Sequence, residues 1–363
     1  MWWILGLIAW TLVGLPSAVD QSLAIKQIAA LVLGTLFTCV IVSSCRRVKD
    51  VQVVLIGLIV VAVVIGLAAF TQGANFESTF GGARVKGRAV GSFDHSNQLG
   101  SLSAMTSLIT IGLVAGARTR RARWAGIVAI LILLGGQALT LSRGAWIGTM
   151  VGILFLVVVL PHARRALVAI AVPLFAVGLA IALFAPDNTQ VQVIQQRFES
   201  LTVRSRYDDR SAIWQEAQRE ALEDPVTGQG AGGFPAASTR SASGANTVFA
   251  YHAHNIFLTW AAEAGFPAVF AIVGFIFAVG ISASRARRRA DGDSDEEIAY
   301  RALLAGLMAA LIALLAQGLV DYTLRNAVIF VSVMTVIGCL LATIRVGPSD
   351  LDDEDQEPTL RGV

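Results

Sequence analysis

The stretch VQVVLIGLIVVAVVIGLAAF, residues 51–70, carries no charged side chain over twenty positions. A helix needs about twenty apolar residues to cross the hydrocarbon of a bilayer, because it rises about 1.5 Å per residue. The run is continuous and does not alternate between apolar and polar residues, as the strands of a membrane β-barrel do. It therefore predicts a transmembrane helix.

The whole chain has the same character. Of its 363 residues 55% are hydrophobic and 15% are charged, against about 25% charged residues in soluble domains. Helices satisfy their own backbone polar groups in lipid, so we predict an all-α, polytopic transmembrane bundle of about ten helices. The predicted spans lie near 2–19, 22–44, 51–70, 98–116, 124–141, 145–160, 166–185, 255–283, 302–320 and 327–344.

The distribution of Lys and Arg predicts the orientation. With the N-terminus inside, the inner segments carry 16 of these residues, and the short outer segments carry 6. The excess of positive charge marks the cytoplasmic side, so both termini are expected there. Residues 187–253 then form one long, partly helical extracytoplasmic loop. We expect residues 1–345 to form a single transmembrane domain with a retained first helix, and 346–363 to be an acidic, disordered cytoplasmic tail.

One helix is predicted inside the long loop. Asp208 or Asp209 can cap a helix that ends before Pro225. One face of this helix carries the apolar residues Ile213, Trp214, Ala217 and Ala221. That face either lies on the membrane surface or packs on the loop's own core.

Histidines on the predicted outer side are candidates for proton transfer. His254 lies in YHAHNIFLTWAAEAGF, where the long loop meets the next span. Histidine exchanges protons near neutral pH, so His254 suits a general base. The alternative is that His254 and Asn255 only cap the helix. His95 and His252 are also on the outer side, whereas His162 lies among cytoplasmic arginines and no role is expected for it.

Arginines on the outer side are candidates for binding an anion. Arg143 lies in a short hairpin between two spans, and Arg210 lies near the start of the loop helix. Arg84, Lys86 and Arg88 form a third cationic group. A guanidinium binds diphosphate oxygens in a bidentate manner. The alternative for each is contact with phospholipid head groups.

Two carboxylates and a glycine-rich stretch are further candidates for site chemistry. Glu263 and Asp321 lie near or in apolar spans, where a carboxylate is functional by default. Glu263 is nine residues after His254, on the opposite side of a helix, so we expect it to pair with another helix. The glycines of 228–233 form either a cradle for an anion or a flexible loop. The spacing of His and Cys residues predicts no metal site and no disulfide framework.

Four segments resemble, in order, one family of bacterial membrane glycosyltransferases, the O-antigen ligase and polymerase superfamily. They are GSFDHSNQLG (91–100), LTLSRGAWIG (139–148), DDRSAIWQEAQREALEDPVTGQGAGGF (208–234) and HNIFLTWAAEAGFPA (254–268). The resemblance implies transfer of a glycan from undecaprenyl diphosphate to an acceptor hydroxyl on the extracytoplasmic face of the cytoplasmic (inner) membrane. It implies that His254 is the catalytic base and that Arg143 and Arg210 bind the donor diphosphate.

Further expectations complete this hypothesis. We also expect Asn255, Arg88 and His252 to contact substrate, and we expect neither a cofactor nor a nucleic-acid partner. The acceptor is a lipid, a growing glycan or a protein, since ligases, O-antigen or exopolysaccharide polymerases and protein-glycosylating relatives share these motifs. The remaining alternative is a transporter, which should carry charged groups near the bilayer midplane and broken helices.

Overall fold

The computed structural model describes residues 2–72, 77–80, 83–86, 88–161, 164, 210–241 and 251–348. Within them the chain forms eleven α-helices and one antiparallel hairpin of two short strands. The helices are α1 (Trp2–Val13), α2 (Gln21–Ser44), α3 (Val48–Thr71), α4 (Ser96–Ala115), α5 (Arg120–Leu139), α6 (Arg143–Val159), α7 (Arg210–Glu223), α8 (Phe234–Ser241), α9 (Ile256–Arg289), α10 (Asp295–Gly318) and α11 (Ala327–Val346). The strands are β1 (Glu77–Phe80) and β2 (Ala83–Lys86), with Glu77 opposite Lys86.

The prediction of a polytopic helical bundle is confirmed. Seven helices, namely α2, α3, α4, α5, α9, α10 and α11, are long and apolar enough to cross a membrane. Helices α1 and α6 are apolar but shorter. The predicted span 166–185, His162, the loop parts 187–209 and 242–250, and the tail 349–363 lie outside the described residues.

Two predicted spans differ in detail from the observed helices. Helix α1 ends at Val13 and not near residue 19, because Pro16 restricts the backbone of the residue before it. Helix α9 does not run straight through its length, since Gly265 has φ 74° and ψ 177°. The backbone NH of Phe266 donates instead to the carbonyl of Pro225. The segment 256–264 is therefore set at an angle to the rest of α9.

Helix α10 lies at the centre of the bundle and packs against α4 and α6. Small residues permit the close approach of the backbones, as is common between membrane helices. A methyl group at Gly112 of α4 would lie 2.6 Å from the carbonyl oxygen of Ala302, and one at Gly148 of α6 would lie 2.5 Å from that of Ala313. Helix α4 is consequently buried along most of its length.

The helix ends gather at two opposite ends of the bundle. At the first, which we call the loop end, lie the residues that precede α2, α4, α6, α9 and α11, together with α7 and α8. At the second, the basic end, Arg345 donates to the carbonyl of Cys45, and Arg301 donates to that of Ala290. The sequence predicts that the loop end faces outward and the basic end faces the cytoplasm.

Helix α7 packs on the protein. Its buried residues Ile213 and Ala217 form an apolar cluster with Phe234, Ala253 and Ala262. Of the two alternatives for this helix, packing on the protein is the one observed. The predicted apolar face is correct for Ile213, Ala217 and Ala221, whereas Trp214 is only partly buried.

Candidate active site

The centre of the candidate site is a contact between His254 and Asp321. His254 lies two residues before the start of α9 and has a positive φ of 50°, which is uncommon for a residue other than glycine. Its Nδ1 lies 2.8 Å from Oδ1 of Asp321, which is in the connection between α10 and α11. The same Oδ1 accepts a hydrogen bond from the backbone NH of Tyr322 at 2.9 Å. Two segments 67 residues apart in the sequence therefore meet here.

The charge state of Asp321 fixes how the His254 ring is oriented. Burial opposes ionisation of this carboxyl, but the hydrogen bond from His254 and the charge of Arg210 hold the pKa of Asp321 below its usual range. An ionised Asp321 only accepts hydrogen bonds, so His254 must donate through Nδ1–H. Nε2 of His254 is then left as the proton acceptor, as a general base requires.

His252 supports this arrangement as a neutral ring. Its centroid lies 4.3 Å from that of His254 in an edge-on contact, and 5.7 Å from that of Tyr322. Its Nδ1 accepts a hydrogen bond from the backbone NH of His254 at 3.4 Å. Burial, followed by the nearby charge of His254, lowers the pKa of His252 to about 3. His252 is thus uncharged at neutral pH.

His95 joins the same group of residues from the first outer segment. Its Nδ1 accepts a hydrogen bond from the backbone NH of Asn97 at 3.1 Å and so caps α4. Burial, followed by the charge of Arg88, lowers the pKa of His95 to about 4. The charges of Asp321, His254 and Arg210 also act on His95, which places all of these groups close together. His95 lies within the GSFDHSN motif, but the motif alone did not predict a specific role for it.

Arg88 is held in place by two hydrogen bonds. Its Nε donates to the carbonyl of Thr140 and one terminal nitrogen donates to Oδ1 of Asn97, both at 2.9 Å. It therefore fastens the first outer segment to the ends of α4 and α5. Arg84 and Lys86 lie on β2, in the hairpin that precedes it.

Arg210 and Arg143 each begin a helix at the loop end. Arg210 is the first residue of α7, and its charge acts on both Asp321 and His95. Arg143 is the first residue of α6, after Ser142, which caps the helix. The neighbouring Gly144 packs against Val320, since a methyl at Gly144 would lie 3.2 Å from the Val320 side chain. Arg143, at the start of α6, therefore lies next to the α10–α11 connection that contains Asp321.

Asn255 has a clear structural role. Its Oδ1 accepts hydrogen bonds from the backbone NH groups of Phe257 and Leu258, and its Nδ2 donates to the carbonyl of Leu319 at 2.9 Å. It caps α9 and ties it to the end of α10, which fixes His254 relative to Asp321. Contact of Asn255 with substrate remains a prediction.

The glycine-rich turn at residues 228–233 lies against the carboxylate of Glu263, which is part of the same chain. The backbone NH groups of Gly232 and Phe234 donate to the Glu263 carboxylate at 2.9 and 3.4 Å. Arg325 forms an ion pair with the same carboxylate and donates to the carbonyl of Gly232. Glu263 does not orient His254, as expected, but its partner is in the α10–α11 connection and not on a helix. Burial lowers the pKa of Arg325 to about 10, so it stays charged at neutral pH.

Three residues of the site can in principle hold a metal ion. One ligand atom from each of His252, His254 and Asp321 lies within 4.8 Å of the other two. Spacing along the sequence did not reveal this group, because Asp321 is distant in the chain. The charges of Arg88 and Arg210 nearby disfavour a cation. The absence of a metal from the reaction therefore stays a prediction.

Comparisons with known proteins agree with these motifs. A family model described as O-antigen ligase matches residues 128–273, which include Arg143, Arg210 and His254. No curated protein shows significant similarity to the chain.

One solved structure extends the comparison to the fold. Described as "Structural coordination of polymerization and crosslinking by a peptidoglycan synthase complex", it contains a chain that is 18% identical, with a TM-score of 0.51 over 95% of this chain and 96% of that one. At this level of identity the likeness concerns the fold alone. The family match supports a membrane glycosyltransferase-like function, and over residues 128–273 it confirms the resemblance to O-antigen ligases that the sequence motifs indicated.

Proposed function

We propose that the protein transfers a glycan from undecaprenyl diphosphate to an acceptor hydroxyl on the outer face of the inner membrane. The observation that carries the proposal is the hydrogen bond between His254 and the ionised Asp321, with arginine charge close by. A base beside cationic groups fits an attack by a hydroxyl on a sugar that leaves an anion behind.

In the proposed reaction Nε2 of His254 removes the proton from the acceptor hydroxyl. The acceptor oxygen then forms a bond to the anomeric carbon of the donor sugar, and the bond from that carbon to the diphosphate oxygen breaks. Asp321 stabilises the positive charge that His254 acquires. Arg210 and Arg143 stabilise the negative charge that grows on the leaving undecaprenyl diphosphate.

The acceptor remains one of three chemical classes: a lipid-linked core glycan, another carrier-linked glycan or a protein. Of the two features expected of a transporter, a broken helix is present in α9 at Gly265, whereas the placement of charge disfavours transport. Among the described residues the buried acidic side chains are Glu220, Glu263 and Asp321, and all three belong to segments of the loop end. Supplying each acceptor class in turn to purified protein identifies the one that is used.

A glycan-transfer assay on three variants tests the mechanism. His254→Ala should lower turnover by about 10²–10⁴-fold while donor binding persists. His252→Ala should have a milder effect, because the neutral His252 ring only supports its neighbour. Arg210→Ala should weaken both donor binding and turnover, since its charge meets diphosphate before and during the reaction. Full activity of His254→Ala would exclude it as the base.

Chelation tests the alternative that His252, His254 and Asp321 bind a metal ion. Transfer should survive EDTA, because in this proposal His254 takes the proton of the acceptor hydroxyl, Asp321 orients and stabilises His254, and neither residue binds a metal. Loss of transfer with EDTA, restored by a divalent cation, would replace the base by a metal site made of His252, His254 and Asp321.

Cysteine labelling tests the proposed orientation. On a chain without its native cysteines, Ser243→Cys should react with an impermeant reagent in intact cells. Arg120→Cys, at the basic end, should react only after the membrane is opened. The opposite pattern would place the site on the cytoplasmic side.

A further inference from the structure

A groove opens to the side of the bundle near the basic end. It lies between α9 and α10 and has a volume of about 490 Å³. Its lining residues include Phe277, Gly280, Ile281, Arg285, Arg288 and Met308. Phe277 is 65% exposed and Ile281 is 49% exposed, so the apolar wall is open to the surroundings. Gly280 adds space, because a methyl group there would have no atom within 4 Å.

Two arginines stand at the end of this groove. Arg285 and Arg288 are one helical turn apart near the end of α9. Within the part of the chain that the structure describes, neither has a hydrogen-bond or ion-pair partner. The neighbouring Arg287, in contrast, donates to the carbonyl of Val159. Arg285 and Arg288 are thus cationic groups with free donors beside an apolar surface.

We propose that this groove binds an anionic phospholipid, with an acyl chain along Phe277 and Ile281 and the phosphate on Arg285 and Arg288. Basic pockets between membrane helices bind anionic head groups on the cytoplasmic side, where the sequence places the basic end. The pairing of an apolar wall with two unpaired cations selects an amphiphile. A soluble anion has no acyl chain to contact the apolar wall. A zwitterionic lipid has no net negative charge, so it should bind the two arginines less strongly than an anionic lipid does.

The carrier substrate is a poor fit for the same groove. Its diphosphate is expected at the loop end, beside Arg210 and His254, whereas Arg285 and Arg288 lie at the opposite end of α9. Lipid binding in the groove is therefore independent of the proposed glycan transfer and is tested by lipid binding alone.

Native mass spectrometry of the purified protein tests the proposal. Phosphatidylglycerol and phosphatidylcholine are titrated separately, and we expect stronger retention of phosphatidylglycerol. The double variant Arg285→Gln/Arg288→Gln should weaken phosphatidylglycerol binding by about 30-fold, from about fivefold for each arginine near an anionic head group. The matched control Arg120→Gln/Arg121→Gln changes two exposed arginines of α5 at the same end and should have little effect.

A second pair of variants tests the groove separately from its charges. Gly280→Leu should fill the groove and displace the acyl chain without disturbing the helix. Gly57→Leu is the control, because Gly57 of α3 is equally open but lies outside the groove. Thermal unfolding shows that each variant is folded.

Any of the following outcomes would contradict the proposal. Equal binding of the two lipids, or equal loss in the Arg120 and Arg121 control, would show that the arginines of the groove are not selective. Competition by inorganic phosphate alone would indicate a site for a soluble anion. No retained lipid, together with a lower unfolding temperature for Gly280→Leu, would indicate that protein and not lipid fills the groove.

Discussion

The loop end and the basic end of the bundle use charge in opposite ways. At the loop end the carboxylates of Asp321 and Glu263 are almost fully buried, at 4% and 1% exposure, and each has a cationic or proton-exchanging partner. At the basic end Arg120 and Arg121 are exposed to solvent. A buried charge is costly unless a partner is correctly placed, whereas an exposed charge acts through its sign alone. At the loop end the position of each charged side chain relative to its partner is therefore important, whereas at the basic end the number of positive charges is important.

The backbone differs between the two ends as well. His254 and Leu141, each one or two residues before a helix at the loop end, have a φ of 50°. Gly265 adopts a combination of φ and ψ that is open essentially to glycine only. Such conformations cost free energy and persist only where the surrounding contacts enforce them. The helices at the basic end begin with ordinary caps, Thr119 and Ser294. Among the described residues, the non-glycine residues with a positive φ therefore both lie at the loop end, where the candidate site is.

Removing the carboxylate partner of His254 should have the largest effect. Asp321→Ala leaves His254 without the acceptor that orients its ring, and kcat for glycan transfer should fall by about 10²-fold or more. The KM for the donor should change little, because the arginines bind it. Asp321→Asn keeps an acceptor oxygen, so its kcat should lie between that of the parent protein and that of Asp321→Ala. Glu296→Ala, a carboxylate change at the basic end, should leave kcat unaltered; an equal loss there would erase the difference between the ends.

Breaking the buried ion pair should mainly reduce stability. Glu263→Gln leaves Arg325 buried without its counter-charge, which should cost about 3 kcal/mol in the free energy of unfolding. The double variant Glu263→Gln/Arg325→Gln should recover part of this loss. At the basic end, Arg118→Gln breaks the more exposed pair with Glu296 and should cost about 0.5 kcal/mol. Thermal unfolding in detergent measures all three, and similar losses at both ends would contradict the comparison.

Two glycines of the same helix should respond in opposite directions. Gly265→Ala places a methyl against the Val226 carbonyl in a conformation that alanine avoids, so the unfolding free energy should fall by about 2 kcal/mol. Gly280→Ala lies in open space in a regular part of α9, and it should raise that free energy by about 0.5 kcal/mol. The measurement is the unfolding temperature of each variant. A tolerated Gly265→Ala would show that the kink is not required.

The last prediction is a pH dependence of stability at the loop end. Burial, and then the negative charge of Glu216, raises the pKa of Glu220 from 4.5 to about 8. The folded protein therefore holds this proton more tightly than the unfolded chain, and stability is lost as the pH rises from about 4.5 to 8. Glu220→Gln stays neutral, so its unfolding temperature should exceed that of the parent increasingly up to pH 8, and then by a constant amount.

The control for this prediction is an exposed carboxylate at the basic end. Asp293→Asn removes a solvent-exposed carboxylate and is measured over the same pH range. A pH-independent difference for Glu220→Gln would show that Glu220 is ionised in the folded protein.

The amino-acid sequence alone determined the features that depend on neighbours along the chain. Runs such as 51–70 predicted helices because apolar length is a local property, and seven of the predicted spans correspond to long apolar helices. The motifs around Arg143, Arg210 and His254 lie within the region that the family model matches. The Ile213, Ala217 and Ala221 face of α7 was likewise correct.

Only the tertiary structure decided the partners of these residues. His254 meets Asp321 across 67 positions, and Glu263 meets Arg325 across 62, so no spacing in the sequence relates them. The role of His95 and the anion held by the glycine-rich turn also depend on which segments meet at the loop end. The kink at Gly265 follows from its contact with Val226, a residue before α9 in the chain. Local pattern fixes where a helix forms, but packing between helices fixes which buried charge meets which partner, because burial makes every such contact depend on the whole fold.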